Sequence, residues 1–404
     1  MLYLRWLETS RVHSARPAIL GGERIITFGE LATAVSLRPR ATAPVIARTG
    51  DSGFFVEILR AWRDGQAVIP VEQEAPEPIL ECPPPAGTCL VKYTPGTSGL
   101  PRGIFLNEAQ VAADGDRIAT AMQLTPSTPN LAVISMAHSY GFSNLVLPLV
   151  LHGVPVHLAP VPFPRVIEEI FHRHAALVVP AVPSIWRAWH RSGILIGAPI
   201  ALAVSAGAPL ALALENEIFT TSSLKIHNFY GASECGGISF DDTDSPRISA
   251  GDVGTPLPGV DVRVREDDRL IVSSSSVATG YDAFRENDLL TNGTYLTRDI
   301  GCLDSAGKIQ LTGTVGSSIN VAGRKVSPGK VEAALLATGL IKRVKVYGIP
   351  SSDPERHEEI SVLLELCDRV TLDALKSAAA KNLQSWELPR HWKTGDPLPR
   401  LDRM

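Results

Sequence analysis

Thr94, Gly96, Thr97, Ser98 and Gly99 lie within the run Val91-Lys92-Tyr93-Thr94-Pro95-Gly96-Thr97-Ser98-Gly99-Leu100-Pro101-Arg102-Gly103-Ile104, directly after the apolar Cys89-Leu90. Glycine lets a backbone approach a ligand closely and adopt positive φ. Successive main-chain N–H groups, joined by small hydroxyls, form a concave anion site. Read as a turn between strand and helix, the stretch suits phosphate, with Arg102 adding a late positive charge. A purely structural turn is the alternative reading of the loop alone. The G-x-x-x-x-G-K-[ST] spacing fails, because no Lys-Ser/Thr pair follows the last glycine, which argues against a P-loop kinase or NTPase.

Further segments gather residue types able to do chemistry. Ser205-Ala206-Gly207-Ala208-Pro209 is a small-residue turn after an apolar run, and Asn228-Phe229-Tyr230-Gly231-Ala232-Ser233-Glu234 presents an aromatic, a hydroxyl and a carboxylate together. Met136-Ala137-His138-Ser139-Tyr140-Gly141-Phe142 offers an imidazole, and Thr297-Arg298-Asp299 a carboxylate. Gly313-Thr314-Val315-Gly316 opens the glycine-rich stretch that ends at Ser327-Pro328. His172 and His174 have no evident third ligand, and residues two apart on a helix diverge, so both read as surface residues.

The elements positioning these residues alternate in the first half of the chain. Strands are expected at 44–47, 67–71, 131–135, 154–158, 176–179, 200–204 and 224–227. Helical spacing recurs in Phe55, Val56, Ile58, Leu59 and Trp62, and again over Phe163–His174. Such alternation predicts α/β layers with buried sheets, in which ligands bind at the carboxyl ends of strands. After about residue 245, glycine, proline, aspartate and serine punctuate short β-like segments. From about 315 a compact α+β unit follows, with Ser327-Pro328 as N-cap and first-turn proline of a helix at 329–336.

At 404 residues the chain is expected to hold more than one domain. Its 45% hydrophobic and 20% charged composition is that of a folded globular protein, and a net charge of −4 gives nucleic acid no support. Five widely spaced cysteines (Cys82, Cys89, Cys235, Cys302 and Cys367) form no C-x-x-C pair. With no apolar signal core at the N-terminus and no membrane span, the expectation is a cytoplasmic protein with free thiols.

Taken in order, these segments resemble the acyl-adenylate-forming superfamily: acyl- and aryl-CoA synthetases, adenylation domains of nonribosomal peptide synthetases, and luciferases. The family's Y-T-S-G-T-T-G-x-P-K-G is matched by Tyr93, Thr94, Gly96, Thr97, Gly99, Pro101 and Gly103, with Pro95, Ser98 and Arg102 departing. Tyr230, Gly231, Ser233 and Glu234 match Y-G-x-T-E with serine for threonine, and Thr297 and Asp299 match T-G-D with Arg298 in place of the glycine. The resemblance implies a large N-terminal domain (1–313) of layered sheets and helices with a β-rich subdomain, and a small mobile C-terminal domain (314–404). It implies that the loop cradles the triphosphate, with Thr97 and Arg102 acting on the phosphates. Tyr230 would stack on adenine, walled by Ala206, Gly207 and Ala208. Asp299 would hold the ribose, and Glu234 would bind Mg²⁺. His138 takes the family's substrate-side position.

The implied activity is an ATP-dependent acid–thiol ligase: a carboxylic acid becomes acyl-AMP, then passes to CoA or the phosphopantetheine of an acyl carrier protein. An apolar pocket is expected around His138, Tyr140, Phe142, Ile185 and Trp186, pointing to an aryl or fatty acid. Three departures bear on catalysis. At the interdomain hinge, Thr314 and Gly316 stand where the family has an arginine and a charged pivot, which removes a charged contact and frees the hinge. Arg102 replaces a lysine. The chain ends Leu398-Pro399-Arg400-Leu401-Asp402-Arg403-Met404, one residue short of the family's C-terminal lysine, which either follows Met404 or is absent. The rival reading is therefore a family member that binds AMP, acyl-AMP or a carrier protein without turnover.

Overall fold

A computed structural model describes residues 1–22, 24–94, 102–283, 290–291, 293–314, 319–321, 324–326, 328–351 and 358–394. Five of the apolar runs expected as strands, at 131–135, 154–158, 176–179, 200–204 and 224–227, form the middle of a nine-stranded sheet. Its order is Thr255–Pro256, Gly236–Phe240, Ile226–Ala232, Ile200–Ser205, Leu177–Ala181, Asn130–Ala132, Val156–Leu158, Pro17–Leu20 and Ile26–Thr27. The strands from Ile226–Ala232 across to Pro17–Leu20 run parallel. Helices on the sheet faces cover them, which is why these strands read as continuous Val/Ile/Leu/Ala runs rather than alternating ones. Gly236–Phe240 then folds back antiparallel on Ile226–Ala232.

A second, five-stranded sheet has the order Gly280–Tyr281, Arg102–Asn107, Thr88–Thr94, Val68–Val71 and Val45–Arg48. Here the structure corrects the sequence reading of the glycine-rich loop. Thr88–Thr94 and Arg102–Asn107 pair antiparallel, Thr94 opposite Arg102 and Lys92 opposite Ile104, so the loop joins two strands and not a strand to a helix. The run Gly103-Ile104-Phe105-Leu106 is buried throughout, and burial of its β-branched and aromatic side chains favours a central strand there. The helix begins afterwards, at Glu108–Ala121, where the Asn107 side chain and Gln110 close a capping box.

Two apolar clusters anchor these sheets. Trp6, Phe28, Phe54, Phe55, Trp62 and Phe142 meet in one, and the Trp62 indole N–H donates to the Cys89 carbonyl at 3.0 Å. Ile167, Phe171, Val179, Trp186 and Trp189 meet in the other, with the two tryptophan rings edge-to-face at 5.5 Å. Each such side chain contributes roughly 1.5–3 kcal/mol through its removal from water.

The chain divides into two compact units, Met1–Asp261 with Val272–Tyr295, and Val262–Ile271 with Leu296–Met404. The second therefore takes in residues ahead of the expected division at 313/314. Within it residues 299–303 of the strand Thr294–Leu303 pair with Ile309–Thr314, and a three-stranded sheet joins Ile341–Pro350, Glu358–Leu366 and His391–Thr394. The helices Pro328–Leu336 and Leu372–Asn382 bury Val331, Leu335, Leu375 and Ala379 in the core of that unit. Ser327, the expected N-cap of the first, lies outside the described residues. Among the described residues no helix is long and apolar enough to cross a membrane.

Candidate functional site

Three parallel strands of the large sheet deliver expected site residues at their carboxyl ends. Ile200–Ser205 leads into Ala206, Gly207 and Ala208, of which Ala206 is buried while the other two are exposed. Gly207 sits at φ +79, a conformation open to glycine at no steric cost. Ile226–Ala232 carries Tyr230, half-buried, and Gly231, exposed, and runs on into Ser233 and Glu234. A Cβ on Gly231 would lie 2.6 Å from the Gly236 carbonyl oxygen, so the tight return of the chain requires the glycine. Asn130–Ala132 leads toward His138 and Ser139, and the Ser139 hydroxyl bonds the Ser233 hydroxyl at 2.7 Å.

The Glu234 turn is fixed from behind. The Ala278 N–H donates to the Glu234 carbonyl at 2.7 Å, and the Ser276 hydroxyl to the Cys235 carbonyl at 2.7 Å. Asp114, 2% exposed, accepts the Gly237 N–H at 2.9 Å and the Ser143 hydroxyl at 2.6 Å, with the buried Lys92 ammonium 3.9 Å away. Burial, followed by Glu234 and Asp114, pushes the Cys235 thiol far up, so it stays neutral.

The glycine-rich loop itself, with Gly96, Thr97, Ser98 and Gly99, lies outside the described residues, as does the side chain of Thr94. Its base is well defined. The Arg102 guanidinium lies over the Tyr281 ring, 3.5 Å from the centroid, and the Tyr281 hydroxyl donates to Glu234 Oε1 at 3.2 Å. Gly280 and Tyr281 pair antiparallel with Phe105 and Ile104. Asp282, 6% exposed, accepts the Gly103 N–H at 2.8 Å and returns its own N–H to the Gly103 carbonyl at 2.9 Å. Two residues expected from separate motifs, Arg102 and Glu234, are thus joined through one side chain. Sequence reasoning missed Tyr281, Asp282, Asp114 and Lys92. A two-residue strand has no periodicity, and a carboxylate that works from inside a helix looks like any polar helix position.

His138 is largely exposed, with its Nε2 3.6 Å from Glu72 Oε1, and Glu72 Oε2 accepts the Thr49 hydroxyl at 3.0 Å. The expected apolar pocket is not assembled as the sequence suggested. Phe142 and Trp186 are sealed in the two cores at 1% and 0% exposure. Tyr140 stacks on Phe229 and donates its hydroxyl to the Val204 carbonyl at 3.1 Å, and burial raises its phenol well above the usual range. Tyr140 and Ile185 are half-buried and His138 is exposed, so these three of the set keep accessible surface. Helical and strand neighbours of a site are often core, and here apolar type alone misled.

His174 is also not a free surface residue. Its Nε2 lies 2.7 Å from His157 Nδ1, and burial, then His174 and Arg173, lowers His157 to about 4. His172 is exposed, as expected. In the second unit, Asp299 lies within the strand Thr294–Leu303, opposite Thr314, whose hydroxyl donates to Asp299 Oδ1 at 3.0 Å. The Asp299 N–H donates to the buried Thr297 hydroxyl at 3.1 Å. Gly316 lies outside the described residues.

Among the described residues no group of three or more His, Cys, Asp or Glu could hold a metal ion. A lone carboxylate such as Glu234 instead fits Mg²⁺, which takes one or two protein oxygens and completes its shell with phosphates and water.

A family model described as AMP-binding enzyme matches residues 40–281. The chain is 22% identical over 340 residues to a long-chain-fatty-acid–CoA ligase of Bacillus subtilis, covering 80% of this chain and 61% of that protein. It is 25% identical over 406 residues to the long-chain-fatty-acid–CoA ligase FadD15 of Mycobacterium bovis, covering 84% and 66%. The chain thus spans somewhat less than two thirds of the length of these relatives. Its fold is similar to ATP-bound MatB from Rhodopseudomonas palustris, with TM-score 0.70 at 17% identity over 99% of this chain and 95% of that one. It is likewise similar to o-succinylbenzoate CoA synthetase (MenE) from Bacillus subtilis in complex with OSB-AMP, with TM-score 0.67 at 19% identity over 98% and 95%.

Proposed function

The chain belongs to the AMP-binding enzyme family, and from that premise we propose that it is an ATP-dependent acid–thiol ligase. A carboxylate oxygen attacks the α-phosphorus of ATP and pyrophosphate leaves, giving acyl-AMP. A thiol sulfur, from CoA or a carrier-protein phosphopantetheine, then attacks the acyl carbon and AMP leaves. Charge at the phosphates has to be held throughout both halves. The observation that supports this reading best is the union of Arg102, at the base of the glycine-rich hairpin, with Glu234 through Tyr281.

In this reading Thr94, Gly96, Thr97, Ser98 and Gly99 cradle the triphosphate and Arg102 neutralises it. Tyr230, with Gly231 and Ser233 in the same turn, meets the adenine against Ala206, Gly207 and Ala208. Asp299 takes the ribose hydroxyls, and His138 faces the acid. Glu234 would hold Mg²⁺, which supplies positive charge to the phosphate oxygens. The unit from residue 314 is the mobile one. The substrate class is an aryl or fatty acid, in line with the relatives named as fatty-acid–CoA ligases.

A second reading has its own observation: the Thr314 hydroxyl occupies an Asp299 oxygen where the resemblance puts an arginine. A member lacking that charge binds nucleotide without turning it over. Pyrophosphate release measured across a panel of aryl and fatty acids, beside calorimetric titration with ATP and AMP, separates the two. Acid-dependent release supports the ligase. Nucleotide binding with no release on any acid leaves the second reading, and absence of both overturns each.

A further inference from the structure

We infer that Tyr281 is a positioning residue that sets the Glu234 carboxylate and the Arg102 guanidinium in one fixed relation. The inference rests on the adenylating role proposed above and deepens it. Tyr281 serves the two groups through different parts of one side chain. Its hydroxyl donates to Glu234 Oε1 at 3.2 Å, and its ring face takes the guanidinium at 3.5 Å. Tyr281 therefore engages one carboxylate oxygen and leaves the other to a cation.

The backbone around Tyr281 is correspondingly restrained. Ala278 donates to the Glu234 carbonyl, Gly280 and Tyr281 pair with Phe105 and Ile104, and Asp282 grips both N–H and carbonyl of Gly103. This segment is tied on one side to the turn bearing Glu234 and on the other to the strand bearing Arg102. A ring held by such a segment cannot drift, so an acid that would bind the metal and a base that would bind the phosphates keep their separation before any nucleotide arrives. Preorganised charge of this kind is what phosphoryl-group chemistry depends on.

The hydroxyl and the ring can be removed separately. ATP binding to the full chain is measured by calorimetry, once with Mg²⁺ and once in EDTA, for wild type, Tyr281→Phe and Tyr281→Leu. Tyr281→Phe keeps the ring and loses the donor; its affinity for MgATP falls about 5- to 10-fold while its affinity for metal-free ATP stays within about twofold. Tyr281→Leu loses the ring as well and also weakens metal-free ATP, by about 2- to 10-fold. In a Glu234→Gln background Tyr281→Phe adds no further loss of the Mg²⁺-dependent part. Far-UV circular dichroism and thermal melting confirm that each variant is folded.

Tyr281→Phe that binds MgATP as wild type does, or that loses equally with and without Mg²⁺, overturns the inference and leaves the adenylating role standing. Wild-type protein that binds no ATP under either condition overturns the adenylating role and the inference together.

Discussion

Asp114 gives the sharpest stability prediction, because a single carboxylate there answers two hydrogen-bond donors and a buried cation. It is 2% exposed and accepts the Gly237 N–H at 2.9 Å and the Ser143 hydroxyl at 2.6 Å, with Lys92 Nζ 3.9 Å away at 4% exposure. Asp114→Ala strands the Gly237 N–H, a loss of about 1–3 kcal/mol for a buried donor without an acceptor. It also leaves the Lys92 ammonium without its counter-charge, and breaking a buried pair in this way costs about 3–5 kcal/mol. The two losses share one cavity, into which water or a rearranged Ser143 can move, so they overlap; the expected total is about 3–5 kcal/mol, a large part of an ordinary domain's stability. Lys92→Met in the same background should recover about 1–3 kcal/mol, since no unpaired charge remains. Urea unfolding followed by tryptophan emission reads this out, because Trp6, Trp62, Trp186 and Trp189 are buried in the same unit as Asp114. An Asp114→Ala loss below about 1 kcal/mol, or a double variant as unstable as the sum of its parts, refutes the account of this network.

Two further outcomes are expected. Because His157 is lowered to about 4, the unfolded chain binds more protons than the folded one between that value and the ordinary histidine value near 6.5. Stability is therefore full above about 6.5 and is lost as pH falls toward 4, by about 3 kcal/mol at most; a His157→Gln variant should show a flatter profile in urea unfolding between pH 7 and pH 4, and an unchanged slope rules the pair out as its cause. At Thr314, the change Thr314→Arg should raise acid-dependent pyrophosphate release about tenfold or more if the missing charge limits turnover. Release that stays flat while ATP binding is retained assigns the deficit elsewhere.

The fold was legible in the sequence where apolar runs were short and bounded. The strands expected at 44–47, 200–204 and 224–227 are present as Val45–Arg48, Ile200–Ser205 and Ile226–Ala232, and the helix expected over 163–174 is present as Pro164–Phe171. Burial on both faces writes itself into composition, whatever the pairing partner. Direction of pairing does not. The glycine-rich loop looked the same whether it led to a helix or to a second strand, and only pairing across the loop, Tyr93 with Gly103 and Thr94 with Arg102, decides for the strand. Phe142 and Trp186 went to the cores for a related reason: an apolar side chain near a site motif has no mark distinguishing a lining from a core. Tyr281 and Asp114 were out of reach because their partners are distant in sequence and their own surroundings lack a pattern.

The two-residue strand Gly280–Tyr281 also has a consequence for biosynthesis. Asp282 and Gly103 meet across 179 positions of chain, so a ribosome-bound chain carries the apolar run Gly103–Leu106 through much of its synthesis before the strand that covers its outer edge exists. An uncovered apolar edge is a template for pairing with other chains. Closing so long a loop also delays the first unit's completion relative to its local helices and hairpins. Nascent chains halted near residue 270 should consequently aggregate or recruit chaperones, whereas full-length chains released from the ribosome should escape both.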